Sequence, residues 1–176
     1  MGAKPTGQNH DRRADVEAFA RALPPGAPLI GIDLGTKTLG LALSDVTRTI
    51  ASGLTTLARA KFAADAKALL ALAERHGVGG LVVGMPFNLD GSEGPRVQAT
   101  RAFTRNLSQL TALPILHWDE RLSTAAAERA LLEADTSRRR RAAVIDKVAA
   151  TLILQSALDR LKVLDRASGR PEGGAP

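Results

Sequence analysis

The first strong apolar signal in the chain is Leu29-Ile30-Gly31-Ile32-Asp33-Leu34. A Gly35-Thr36-Lys37 turn and a second apolar run, Leu39–Ser44, follow it. Two such runs across a short glycine turn predict a β-hairpin. The β-branched stretch Thr47–Leu57 predicts a third strand that closes an antiparallel meander. From Lys61 to His76 the apolar positions Phe62, Ala66, Leu69, Leu70 and Ala73 fall at helical spacing, and Gly77 ends that helix. Gly80–Gly84 is continuously apolar, as in a strand buried on both faces. Met85–Gly94 reads as a loop, and Pro95 opens a helix to about Leu110. Leu113–Trp118 predicts a further strand, Ser123–Glu133 a helix capped by Ser123, and Ala142–Leu164 a long final helix. Three consecutive strands followed by alternating strands and helices predict an α/β fold. Its mixed sheet would hold the three-strand antiparallel meander plus two parallel strands, with helices on both faces.

The ends of the chain read differently. Residues 1–28 form an expected flexible arm with a short helix at Asp15–Leu23, closing in the rigid turn Pro24-Pro25-Gly26-Ala27-Pro28. Residues 29–165 form the expected folded domain, and the Gly/Pro/Ser-rich residues 166–176 a disordered tail. With four Phe, one Trp and no Tyr, the core is expected to be aliphatic. No apolar run reaches the ~20 residues of a membrane span. Residues 1–15 lack the apolar segment of a signal peptide. The absence of Cys excludes disulfides and thiolate metal sites, and three scattered His make a His-based zinc site a poor reading. A net charge of +6 favours a polyanionic partner.

Asp33 is the one carboxylate on an otherwise apolar strand. A buried acid costs several kcal/mol unless it is paired or coordinates a metal. Asp119 and Glu120 follow the strand Leu113–Trp118, on the same sheet edge if the two strands are parallel. In the final helix Asp146 continues the stripe Ala149, Ala150, Ile153, Ala157, so it belongs to the sheet-facing side. Asp33, Glu120 and Asp146 would then share one corner, where they repel one another unless cations neutralise them. Oxygen-only ligands suit Mg²⁺ or Mn²⁺, and two ions ~3.5–4 Å apart suit phosphodiester hydrolysis. Each acid also has an ordinary reading: a turn contact for Asp33, an Arg121 pair for Glu120, a helix-start acid for Asp146. The basic run Arg138-Arg139-Arg140-Arg141 before the final helix fits phosphate contact better than a solvated loop once it adjoins that corner. Trp118 reads as core rather than as a base-stacking platform.

Four motifs then occur in order. They are Gly31-Ile32-Asp33-Leu34-Gly35-Thr36-Lys37 with Gly40–Asp45, Val83–Pro86 with Asn88 and Asp90-Gly91, Asp119–Thr124, and Asp146–Ala150 with Ile153–Gln155. Together, over about Leu29–Leu161, they resemble the YqgF/RuvX family of pre-16S ribosomal RNA nucleases, formerly taken as Holliday junction resolvases. The resemblance implies a ribonuclease H-like fold and a divalent-metal nuclease acting in the cytoplasm on pre-ribosomal RNA, free or in a pre-ribosomal particle. It places the catalytic and metal-binding acids on Asp33, Glu120 and Asp146. Many members carry Arg where this chain has Thr38, which leaves Lys37 as the nearer phosphate contact. Lys37, Asn88, Arg121 and Arg138–Arg141 form the expected nucleic-acid-binding set.

Other functions are compatible with parts of the pattern. The same acids would serve a Holliday junction resolvase on branched DNA. The scaffold would also serve a non-catalytic, nucleic-acid-binding ribosome-assembly factor. Ile32–Thr36 resembles the first phosphate loop of actin/Hsp70-like phosphotransferases, but the chain has room for one such lobe and lacks the second phosphate loop.

Overall fold

The computed structural model describes residues 8–125, 128 and 138–169. Its strands are β1 (Leu29–Leu34), β2 (Thr38–Ser44), β3 (Ala51–Ala58), β4 (Gly80–Met85) and β5 (Ile115–Asp119). Its helices are α1 (Gln8–Ala22), α2 (Phe62–Arg75), α3 (Pro95–Leu107) and α4 (Arg138–Ala167), with a 3-10 turn at Glu120–Leu122. The strands form one sheet in the order β3-β2-β1-β4-β5. β1–β2 and β2–β3 are antiparallel, and β1–β4 and β4–β5 are parallel. This is the expected mixed sheet, an antiparallel meander plus two parallel strands, with β1 and its acid at the centre.

Strand alternation divides the core in two. Ile30, Ile32, Leu34, Leu39, Leu41, Leu81 and Val83 pack with Ala66, Leu69, Phe103 and Leu107 of α2 and α3. Leu29, Ala42, Val82, Leu116 and Trp118 pack on the other face with Ala149, Ala150, Ile153, Leu154, Ala157 and Leu158 of α4. Gly31 permits that second contact to be close. A Cβ there would stand 2.6 Å from Leu154 Cβ and 2.9 Å from the Ala150 carbonyl oxygen. Trp118 is core, as its place on a buried strand implies. No described helix is long and apolar enough to cross a membrane.

Several boundaries differ from the sequence expectations. Residues 8–22 of the expected arm are α1, whose Val16 and Phe19 are buried in the α4-side core. The third strand starts at Ala51 rather than Thr47. Asp45 takes the intervening residues, because its carboxylate accepts the backbone N–H groups of Thr47 (3.2 Å), Thr49 (2.8 Å) and Ile50 (2.8 Å). A side chain that satisfies three donors in a turn outcompetes strand propensity. α3 ends at Leu107, and β5 runs from Ile115 to Asp119. The arginine run lies within α4, whose described part starts at Arg138, rather than in a loop before it. Arg is a good helix former, which accommodates it there. Ser123 does accept the Ala125 N–H, but most of the helix expected at Ser123–Glu133 lies outside the described residues, as do residues 1–7 and 170–176.

Candidate functional site

Asp33 is fully buried one residue before the end of the central strand. In the β1–β2 ladder it lies directly opposite Gly40. On its other side the Ile32–Val83 pairing sets Gly84 beside it. Neighbouring residues in register share a face, so all three positions face α4. The two glycines leave space, and the other two acids stand over it. A Cβ on Gly40 would lie 2.1 Å from the Asp146 carbonyl oxygen and 2.8 Å from Asp146 Cβ. A Cβ on Gly84 would lie 2.9 Å from Glu120 Oε1 and 2.5 Å from Ile153 Cδ1. Asp33 is therefore flanked by Asp146 over one neighbouring strand and by Glu120 over the other.

Each flanking acid is held locally. Asp146 is half-buried, at the head of the buried α4 stripe that its spacing predicts. Its Oδ2 accepts a hydrogen bond from the Thr38 hydroxyl and lies 2.8 Å from where a Gly35 Cβ would be. Glu120 is buried and opens the 3-10 turn directly after β5. Its carbonyl accepts the Ser123 N–H (3.1 Å) and hydroxyl (2.9 Å), which fixes that turn.

The basic and polar residues are placed as follows. Lys37 is exposed in the β1–β2 turn. Arg121 pairs with Asp119 rather than Glu120: Nε donates to Oδ1 at 3.0 Å and Nη2 to Oδ2 at 2.7 Å. These bonds raise the Arg121 pKa above its ordinary value. The guanidinium also lies over the Phe87 ring, 5.5 Å from its centroid, so it ties the 86–94 loop to the acid corner. Asn88 donates through Nδ2 to Ser92 Oγ (2.8 Å), and its carbonyl accepts the Gly91 N–H (2.8 Å). Asn88 thus builds the loop as well as facing solvent in it. Arg138–Arg141 lie in α4, and their side chains lie outside the described positions.

Two contacts were not expected from sequence. One is Thr38 on Asp146. The other is a clamp on the β1–β2 turn: Arg59 Nη1 donates to the Gly35 carbonyl (2.7 Å) while its Nε donates to Asp65 Oδ2 (2.8 Å). Both join residues whose local patterns carry no trace of the partner.

Among the described residues, no group of three His, Cys, Asp or Glu is gathered closely enough to hold a metal ion. The donor chemistry nevertheless fits one. Three carboxylate side chains share a glycine-lined face, and all-oxygen donors are the set that Mg²⁺ and Mn²⁺ prefer.

The sequence profile of the RuvX family, described as Holliday junction resolvase, matches residues 27–160. The chain belongs to the RuvX family. Curated relatives agree over most of its length. A protein of Paracoccus denitrificans (strain Pd 1222) named "Putative pre-16S rRNA nuclease" is 63% identical over 152 residues, covering 86% of this chain and 96% of that one. One of the same name from Ruegeria pomeroyi is 62% identical over 149 residues, covering 85% and 97%. Among solved structures, T. thermophilus RuvC in complex with a Holliday junction substrate overlays with 13% identity and a TM-score of 0.48, covering 77% of this chain and 96% of that one. The RuvX match spans every strand of the sheet and the acid-bearing part of α4.

Proposed function

We propose that this protein is a divalent-metal-dependent nuclease that hydrolyses phosphodiester bonds during 5′-end maturation of pre-16S ribosomal RNA in the cytoplasm. One observation carries the reading. In a RuvX family member, Asp33 sits at the centre of the sheet with Asp146 and Glu120 standing over the glycines on either side of it. The names of the relatives supply the substrate. Asp33, Glu120 and Asp146 would hold Mg²⁺ or Mn²⁺, two ions in the fullest arrangement. A bound divalent ion supplies Lewis-acid activation of water and neutralises charge on the phosphate and the departing oxygen.

The chain's own residues do the rest. Lys37, in the turn that follows Asp33, takes a phosphate of the bound strand. Arg138–Arg141 do the same from α4. Asn88 presents the 86–94 loop to substrate, and Arg121 holds that loop against Asp119, one residue from Glu120. Cleavage of the P–O3′ bond leaves a 5′-phosphate and a 3′-hydroxyl.

The test is single-turnover cleavage of a pre-16S 5′ precursor RNA and of a four-way DNA junction, with Mg²⁺, Mn²⁺ or EDTA. The RNA should be cleaved only with metal. Asp33→Asn preserves the side chain's size and removes its charge. It should lower the rate by ~10²–10³-fold or more, the scale of losing a charge-stabilising group at a reacting centre. Parent-like cleavage by Asp33→Asn would overturn the nuclease assignment at its core. Cleavage of the junction alone would move the substrate from RNA to branched DNA, the function that the family's description names.

A further inference from the structure

Thr38 opens β2 and stands where the β1–β2 turn closes. Its carbonyl accepts the Gly35 N–H at 2.9 Å. Its hydroxyl donates to Oδ2 of Asp146, a residue 108 positions away on α4. Gly35 forms the opposite wall, because any Cβ there would be 2.8 Å from the same oxygen. One carboxylate oxygen of Asp146 is thus seated in a notch made by a hydroxyl and a missing side chain.

The notch is rigidly built. Arg59 holds the turn twice, through Nη1 on the Gly35 carbonyl (2.7 Å) and through its backbone N–H on the Lys37 carbonyl (2.9 Å). Asp65 in turn accepts Arg59 Nε (2.8 Å) and the Ala60 N–H (2.9 Å). Thr is β-branched, so few χ1 rotamers are open to it on a strand. The hydroxyl is therefore presented in a fixed direction by a clamped turn, whereas Asp146 arrives from a separate helix. Holding Oδ2 restricts rotation of the carboxylate about its last bond. Oδ1 and the remaining lone pair on Oδ2 are then what Asp146 offers to an ion.

We infer that Thr38 is a positioning residue for Asp146, orienting its carboxylate to receive the divalent cation. The inference rests on the reading of Asp33, Glu120 and Asp146 as the metal-holding acids. Hydrogen bonds to a metal ligand from such partners are commonly worth 10–100-fold in metal affinity. Thr38 itself touches neither ion nor substrate in this account.

The test is calorimetric titration of Mn²⁺ alone into the full chain, with no nucleic acid present, for the parent, Thr38→Val, Thr38→Ser and Asp146→Asn. Thr38→Val retains shape and strand preference but removes the donor. It should bind Mn²⁺ ~10–100-fold more weakly, with its metal-free melting temperature close to the parent's. Thr38→Ser restores the hydroxyl and should recover most of the affinity. In cleavage assays the Thr38→Val defect should shrink as Mn²⁺ is raised, because the loss lies in metal binding. If Thr38→Val does not fold, Thr38→Ala carries the same comparison. Parent-like Mn²⁺ affinity in Thr38→Val, alongside weakened binding in Asp146→Asn, would overturn the role of Thr38 alone. Parent-like affinity in Asp146→Asn would overturn the acid site on which it depends.

Discussion

At the scale of single residues, the site depends on side chains that are not there. Gly40 and Gly84 flank Asp33, and the absent Cβ atoms are what let α4 and Glu120 approach it. Gly40 is the tighter of the two, since its obstacle is the Asp146 backbone oxygen at 2.1 Å rather than a flexible side-chain end. Helix backbone cannot step aside locally, so Gly40→Ala should push α4 off the sheet and carry Asp146 with it. The expected loss is about 3 kcal/mol or more, at the upper end of overpacking costs, read by urea unfolding. Gly77→Ala is the contrasting case. Nothing lies within 4 Å of its Cβ position, but its φ is +62°, so the cost there is conformational and about 1 kcal/mol. Equal losses in the two variants would show that the Asp146 contact is not a hard one. That the visitor at Gly40 is the backbone of Asp146 follows only from the packing of α4.

At the scale of elements, two acids shape the connections. Asp45 is partly desolvated by its surroundings, which alone would raise its pKa. Hydrogen bonds from Ile50, Thr47 and Thr49 outweigh that and hold the carboxyl at about 2, against an ordinary 3.8. A depressed folded-state pKa contributes stability that is present above the unfolded value and is lost as pH falls through the folded one. The loss therefore falls between about pH 4 and pH 2. Asp45→Asn cannot titrate, so urea unfolding across that interval should show a shallower decline for the variant than for the parent, and parallel declines would contradict the assignment. Asp65 acts on the other connection. Its side chain is 3% exposed and satisfies both Arg59 and the Ala60 N–H. Asp65→Ala removes a charged acceptor from two donors and should cost about 2–4 kcal/mol, measured by chemical denaturation. A change near zero would mean that Arg59 and Ala60 find water without penalty.

At the scale of the whole molecule, charge and chemistry are separable. The chain is basic overall, with four consecutive arginines in α4. Replacing Arg138–Arg141 by Ala should weaken nucleic-acid binding and flatten its salt dependence. The slope should fall by up to ~0.9 log unit per lost phosphate contact on duplex DNA and ~0.7 on single strands. Asp33→Asn should bind RNA at least as well as the parent, since a negative charge facing phosphate is gone. Fluorescence anisotropy over a salt series reads both variants. An unchanged slope in the arginine variant would place the phosphate track elsewhere on the molecule.

What the sequence determined by itself is what local period and composition encode. The apolar runs of β1 and β2, the continuous run of β4 and the spacing of α2 each state their element within a few residues. They also placed Asp33 on a strand and Asp146 on the sheet-facing stripe of its helix. Where a local signal competed with a specific hydrogen bond, the bond won, as when Asp45 turned Thr47–Ile50 from strand into loop. Where the signal was weak, burial came from distant partners. Val16 and Phe19 lie among charged residues, and α1 gains its place by packing on the α4-side core. Only the tertiary structure decided that α4 lies close enough to need Gly40 and that Thr38 reaches Asp146. These contacts join residues up to 108 positions apart. Nothing in a window of neighbouring residues records such a partner, because the approach is made by the docking of a helix onto a sheet.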